Sequence, residues 1–267
     1  MIFSLIPFSY IRREVAVNIK RAFRVWQRHL TVYTKLYRSS IALNFFEPIV
    51  YLAALGLGLG AFVKEINGVP YMNFIAPGII ASSSMFAAIY ECTYGTYIRM
   101  THQKTFDAIL ATPVNIDDLV AGELLWGATK SLLYGTIIII VISLLGLVDS
   151  PFLIIALPFL FLAGIIFSEV SVMFTAVIPG IESYNYYYTL FMTPMFLFSG
   201  IFFPLENLPA AVSKIAFFTP LYHLVNICRA TAYGNPASCL ADMIWILVVA
   251  LLLAPYPFRL MRRRIVK

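Results

Sequence analysis

Apolar positions in this chain come in long runs separated by short polar segments. Six runs, 41–63, 71–98, 119–147, 151–178, 186–203 and 238–258, are candidates to cross a bilayer. Each offers about the 17–25 residues that a helix rising 1.5 Å per residue needs, or somewhat more. The pattern predicts an all-α membrane protein with six transmembrane helices, organised as a single transmembrane domain over 1–267. Ahead of the first run, Val15, Ile19, Phe23, Trp26, Leu30, Tyr33 and Tyr37 recur at spacings of three and four. That is one face of an amphipathic helix. With Arg12, Lys20, Arg21, Arg24, Arg28, Lys35 and Arg38 largely on the other faces, residues 12–38 are expected to lie in the membrane interface, with the aromatic stripe at the headgroup boundary.

The breaks between runs carry their own signals. Segment 99–118 is the one substantial loop on its side. Thr101–Leu110 is expected to form a short helix with Phe106, Ile109 and Leu110 on one side and His102, Lys104 and Asp107 elsewhere, stopped by Pro113. Such a helix is an ordinary connector or a piece that inserts into a groove on a cytosolic partner. Asn115, with Asp118 three residues on, is expected to cap the next helix. The fifth run is short, contains Pro194 and ends at Ser199-Gly200. Segment 204–237 after it stays moderately apolar but is broken by Pro209, Pro220 and Pro236. It is expected to form short re-entrant or interfacial helices on the outer side.

Composition agrees with a membrane location: 61% of residues are hydrophobic and 12% charged, against about 25% charged in soluble domains. The net charge of +6 is not a nucleic-acid signal, because of where the cations sit. With the N-terminus placed in the cytoplasm, fifteen of the 19 Lys and Arg fall on the inner side. Orientation follows this bias, which predicts a multi-pass protein of the bacterial inner membrane with both termini cytoplasmic. No removable signal peptide is expected, since Arg12 and Arg13 follow the short apolar start instead of preceding it.

Catalytic chemistry is sparse. The chain has no G-x-x-x-x-G-K-[ST] run and no His, Cys and carboxylate cluster at metal-ligand spacing. Ser199 and His223 are the nearest approach to an intramembrane nucleophile and base, and a Ser-Gly before a turn is more simply a helix end. Cys228 and Cys239 fall on or near the outer side, where a bridge is permitted, but the expectation is against one. Charges inside the runs are the better clue, because they are costly in lipid. Those singled out are Glu47, Glu91, Glu123, Lys130 and Glu169. Glu91, Glu123 and Lys130 are expected to form a buried charge network near the inner boundary. The stretch 183–205 carries no charge, which argues against an ion pathway. Tyr184, Tyr186, Tyr187 and Tyr188 cluster at the inner mouth of the fifth run, as an aromatic belt or as rings that stack on sugars.

Ser199-Gly200-Ile201-Phe202-Phe203-Pro204-Leu205-Glu206-Asn207-Leu208-Pro209, followed by Phe218-Thr219-Pro220-Leu221 and Arg229, resembles the signature of the permease subunit of type-2 ABC exporters. Tyr71–Gly135, including Ala76-Pro77-Gly78, Glu91, Arg99, Phe106-Asp107-Ala108-Ile109-Leu110, Gly122-Glu123 and Lys130-Ser131-Leu132, is similar to the nodulation-factor branch. The resemblance covers nearly the whole chain. It implies a homodimeric path in the membrane, energised by a separate cytosolic ABC ATPase subunit that carries the ATP and magnesium, with no cofactor in this chain. It also implies an amphipathic glycolipid, lipo-oligosaccharide or polysaccharide as cargo; a drug or small lipophile is the alternative. Thr101–Leu110 would be the helix that couples to the ATPase, with Phe106 as its apolar anchor. The first and fifth spans would line the path, with Glu47, Tyr184, Tyr187, Tyr188 and Phe198 as candidate path residues. An intramembrane lipid-modifying enzyme is the rival class; it predicts turnover without a nucleotide-binding partner.

Overall fold

The computed structural model describes residues 16–266, with the side chains of 37–45, 47 and 207 outside the description. Helix α1 (Ile19–Gly58) starts at Asn18, whose side chain accepts from the Lys20 and Arg21 amides. It runs for 40 residues, so the expected interface helix and the first apolar run are one continuous helix. Arg38-Ser39-Ser40 at the expected junction contains neither Gly nor Pro, and Pro48 lies within the helix. Val15 and the Tyr37 side chain, members of the expected aromatic stripe, lie outside the described residues.

Of the expected stripe, Ile19 is 82% and Phe23 51% exposed, while Trp26, Leu30 and Tyr33 are half-buried and Trp26 donates to Thr129 Oγ1. Beside it, Ala22, Val25 and His29 are buried. Small side chains allow this closer approach. A Cβ on Gly122 would meet Val25 and the Ala22 carbonyl, so glycine on the facing helix sets how closely α1 can dock.

After α1, Asn67 (φ 52°) and Gly68 (φ 78°) form the turn of a two-residue hairpin, β1 (Glu65–Ile66) against β2 (Val69–Pro70). Positive φ at both central positions is the type I′ requirement that Asn-Gly meets most easily. Helix α2 (Tyr71–Tyr90) continues through two widened, π-helical turns at Glu91–Gly95 and Ile98–His102. It is apolar on all sides and is the central helix: Ile75, Ala76, Ile80, Ala81, Met85, Ala88 and Ile89 are fully buried. A helix hydrophobic all round belongs in the middle of a bundle.

Helix α3 (Thr105–Leu110) is set off by Lys104 in the left-handed region (φ 54°), so the expected Thr101–Leu110 helix is broken in two. Helix α4 (Ile116–Leu144) opens with a reciprocal cap in which Asn115 accepts from the Asp118 amide and Asp118 accepts from the Asn115 amide. Helix α5 (Ala156–Val177) follows a 3-10 turn at Pro151–Ile155. Helices α4 and α5 approach closely at Gly127, where a Cβ would strike Ser168 and Cys92, and at Gly164, where it would strike Ser131. By contrast Gly56, read as part of a G-x-x-x-G contact, packs against Met72 of the same chain.

The fifth run is a 3-10 turn (Ile181–Ser183), α6 (Tyr184–Tyr187), a π-helical turn (Tyr188–Met192) and α7 (Thr193–Leu197) in unbroken succession. It ends short of the expected 203. Helices α8 (Ala210–Phe217) and α9 (Pro220–Ala232) meet at 87°. Helices α10 (Leu240–Leu253) and α11 (Pro255–Ile265) complete the chain. Among the described residues, four helical stretches are long and apolar enough to cross a membrane: Tyr71–His102, Ile116–Leu144, Pro151–Val177 and Pro236–Ile265. The α8–α9 pair makes a fifth if it is one broken span, and otherwise forms a re-entrant loop.

Candidate translocation site

Three of the charged residues in the apolar runs, Glu91, Glu123 and Lys130, gather around Arg99. Its Nη1 donates to Glu91 Oε1 at 2.6 Å, and its Nη2 to Glu123 Oε2 at 2.6 Å. Thr96 Oγ1 also donates to Glu123, at 2.7 Å. Lys130 Nζ lies 3.6 Å from Glu91 Oε2. His29 Nε2 lies 2.9 Å from Glu123 Oε1, close but without hydrogen-bond alignment. The Lys130 ammonium also sits among rings, 4.2 Å from the Tyr33 centroid, 5.4 Å from Tyr134 and 5.6 Å from Trp126. Two carboxylates therefore face two cations, which is how charge is tolerated at this depth.

Glu91, Glu123 and Lys130 were expected to form a network; Arg99, named only among the residues that carry the family resemblance, and His29 were not placed in it, although they link the set. Arg99 read as the first residue of a polar loop. The widened turn at Glu91–Gly95 carries the helix two turns further and rotates Arg99 back over Glu91. His29 was hidden in a helix read as lying on the membrane. Near it, burial holds the Arg28 guanidinium below its ordinary range; Arg99 adds to this and Glu123 opposes it. Glu169 is buried, with Oε2 unpartnered among the described residues, and stands outside the cluster.

Below the cluster lies the 99–118 loop. His102, Lys104 and Asp107 are exposed, and Ile109 and Leu110 half-buried. Phe106, expected to point outward as an anchor for a partner, is turned inward. It is 1% exposed and packs in a cluster with Val25, Cys92, Leu119, Val120, Phe258 and Met261. Left-handed Lys104 swings α3 so that its apolar side faces the bundle. The same end gathers both ends of the described chain: Asp117 accepts from Arg262 and from the Ala16 amide, and Asp118 from the Asn18 amide.

Above the cluster, α1, α2 and the α6–α7 segment line an open-sided cavity of about 1130 Å³. Its walls include Tyr51, Leu55, Phe86, Tyr90, Tyr94, Asn185, Tyr188, Thr189, Thr193 and Phe196; Glu65, in the hairpin, is its sole charged lining residue among those described. Of the candidate path residues, Tyr188 lines it. Tyr184 and Tyr187 are buried instead, Tyr184 donating to the Thr93 carbonyl and Tyr187 bonding Ser171. Phe198 is 41% exposed but is not on the wall, since the helix has ended at Leu197. The Glu47 side chain lies outside the described residues.

At the opposite end, Arg229 Nη2 donates to the Gly200 carbonyl and its guanidinium sits 4.2 Å above the Phe74 ring. The two segments that carry the family resemblance, 199–209 and the region of Arg229, thus meet. Ser199 donates to Phe196 O, and His223 is committed to Asp242 Oδ1 and Phe217 O, so the two do not form a nucleophile and base pair. Cys228 and Cys239 are separate buried thiols.

A multi-pass helical bundle that holds a largely apolar cavity, with one charged residue at its hairpin end, and a polar hub is built as a transport permease. The chain belongs to the ABC-2 type transporter family, whose model matches residues 17–233. It is 38% identical over 247 residues to Nodulation protein J of Rhizobium leguminosarum bv. viciae, covering 91% of this chain and 94% of that protein. It is 40% identical to Nodulation protein J of Rhizobium meliloti (strain 1021), covering 79% and 81%. Inner membrane transport permease YadH of Escherichia coli (strain K12) is 21% identical over 84% of this chain and 88% of its own length.

Proposed function

We propose that this permease is the membrane subunit of an ATP-driven exporter that moves an amphipathic glycolipid or lipo-oligosaccharide across the bacterial inner membrane. The observation that carries the reading is the cavity between α1, α2 and α6–α7. At about 1130 Å³ it exceeds the roughly 300–1,000 Å³ usual for drug-sized ligands. Apart from Glu65 at the hairpin, its walls combine aliphatic, aromatic and uncharged polar groups, which suits one molecule with an acyl chain and a sugar head. The similarity to proteins named Nodulation protein J supports the same class.

Two copies of the chain form the path, and a separate ABC ATPase binds and hydrolyses ATP. The exposed side of the inner loop, with His102, Lys104 and Asp107, meets that ATPase; Phe106 holds the loop to the bundle from within. A six-span threading has support in contacts at the two ends. Ala16, Asp117 and Arg262 meet at one end. Asn73 Nδ2 donates to the Leu147 carbonyl, and Ser150 to the Thr231 carbonyl, at the other. The first run and 181–203 must each then traverse the bundle, which puts both termini on the loop side. The cation bias makes that side cytoplasmic. Nucleotide-driven movement of the loop changes the angle between α1 and α6–α7, and the cargo shifts the balance of states by binding them unequally.

The test is reconstitution of the permease with its ABC ATPase in vesicles, measuring ATP-dependent movement of a monoacyl oligosaccharide. Movement that needs both subunits and ATP is the expected result. Cargo movement by the permease alone would overturn it.

A further inference from the structure

Asn185, Thr189 and Thr193 stand four residues apart on one face of the α6–α7 segment, and all three line the cavity. Residues 183–205 around them carry no charge, and each of the three side chains is exposed. None makes a hydrogen bond to another described residue, whereas elsewhere in the bundle Thr93, Thr129, Thr136 and Thr231 donate to carbonyls of their own helices. At bilayer depth an unsatisfied amide or hydroxyl is costly, so three in register call for an occupant that can hydrogen-bond. The facing wall is aromatic. Tyr188 stacks on Tyr90 at 5.3 Å and on Tyr94 at 5.6 Å, with interplanar angles of 21° and 14°. The three rings form a ladder whose members all line the cavity.

We propose that these six residues form a subsite for an uncharged sugar head, seated at the cavity end nearest the Arg99 cluster. Asn185, Thr189 and Thr193 exchange hydrogen bonds with ring hydroxyls, and the tyrosine ladder covers the apolar faces of successive sugars. Toward the hairpin the walls become Leu55, Leu59, Val63, Leu197 and Phe202, which take the acyl chain, with Glu65 and Asn67 of the hairpin itself at the far end. With no cation on the wall to balance it, an anionic head loses its hydration without a partner. The subsite therefore selects neutral over sulfated heads. This rests on the export reading and sharpens it by naming the head-group class.

The experiment places the full chain in nanodiscs and measures binding of a radiolabelled monoacyl maltotrioside and of its sulfated counterpart. The neutral probe is expected to bind at least about tenfold more tightly, because an unpaired buried charge costs more than a hydrogen bond. Thr189→Val with Thr193→Val keeps side-chain volume and removes both hydroxyls. It is expected to weaken the neutral probe about tenfold while leaving binding of the matching fatty alcohol unchanged, with size-exclusion profile and circular dichroism as folding controls. Equal affinity for the two probes, or an unaffected double variant, overturns the subsite. So does a double variant that alters only the mass of a dimer, which would mean that a second copy satisfies the stripe. Transport in the ATPase-coupled vesicles separates this from the parent reading. Selective binding without any ATP-dependent transport sinks the export reading and leaves the subsite standing; transport indifferent to the double variant does the reverse.

Discussion

At the scale of single residues, Arg99 is the side chain on which most depends. It pairs Glu91 with Glu123 and so ties the inner end of α2 to α4, while His29 brings α1 to the same carboxylate. Arg99→Leu leaves Glu91 with Lys130 and Glu123 with only Thr96 and His29 beside it, and the cost of breaking a buried pair is roughly 3–5 kcal/mol. The expected result is a large drop in thermal midpoint in detergent, partly recovered when Glu123→Gln is added. Gly164 carries a steric limit instead of a charge. Gly164→Val drives a branched side chain into Ser131, and overpacking of this kind costs about 1–3 kcal/mol. Its thermal midpoint is expected to fall, whereas Gly58→Val, where a Cβ meets nothing within 4 Å, is expected to leave it nearly unchanged.

The legible and the hidden parts of the site divide by how each residue announced itself. A charge in an apolar run stands out, so Glu91, Glu123 and Lys130 could be found by inspection. Arg99 sits where apolar run gives way to loop, and a cation there is ordinary. Only the π-helical turn, invisible to a 3.6-residue periodicity, turns it inward. Asn185, Thr189 and Thr193 had a signal, a four-residue polar recurrence in an uncharged run, but the neighbouring tyrosines drew the attention and two of those proved to be buried.

At the scale of elements, α3 separates holding the bundle from offering a surface. Phe106 is buried among residues of α1, α4 and α11, so Phe106→Asp is expected to lower folded yield before it can report on any partner. Asp107 is exposed beside it, and Asp107→Arg is expected to fold normally yet lose most of the co-purifying ABC ATPase. Retained stoichiometric association of the Asp107 variant would move the docking surface elsewhere. The α8–α9 pair is the element whose geometry composition anticipated best: three prolines and short apolar pieces implied a bent excursion, and the helices meet at 87°. Its attachment through His223 to Asp242, with Trp245 stacked 4.0 Å from the imidazole, had no such forewarning.

At the scale of the whole molecule, the threading makes a labelling prediction. Cys92, Cys228 and Cys239 are buried and can be replaced to give a silent background. A cysteine at Asn67 is expected to react with an impermeant maleimide added to whole spheroplasts, and cysteines at Lys104 or Arg264 only after the membrane is opened. Labelling of all three from one side would refute the six-span arrangement.

The order of apolar runs, the cation bias among the segments between them, the helix cap at Asn115 and the bend after the fifth run were all written in the sequence. Each depends on local chemistry: the length of an apolar stretch, the preference of cations for one membrane face, a side chain within three residues of its backbone partner, the placement of proline. What packing alone decided was which face of each helix turned inward. That choice fused the interface helix with the first run, buried Phe106, brought Arg99 over Glu91, and left a polar stripe and a tyrosine ladder facing one cavity. Contacts between residues tens of positions apart set it, through glycine clearances and widened turns that a one-dimensional pattern does not contain.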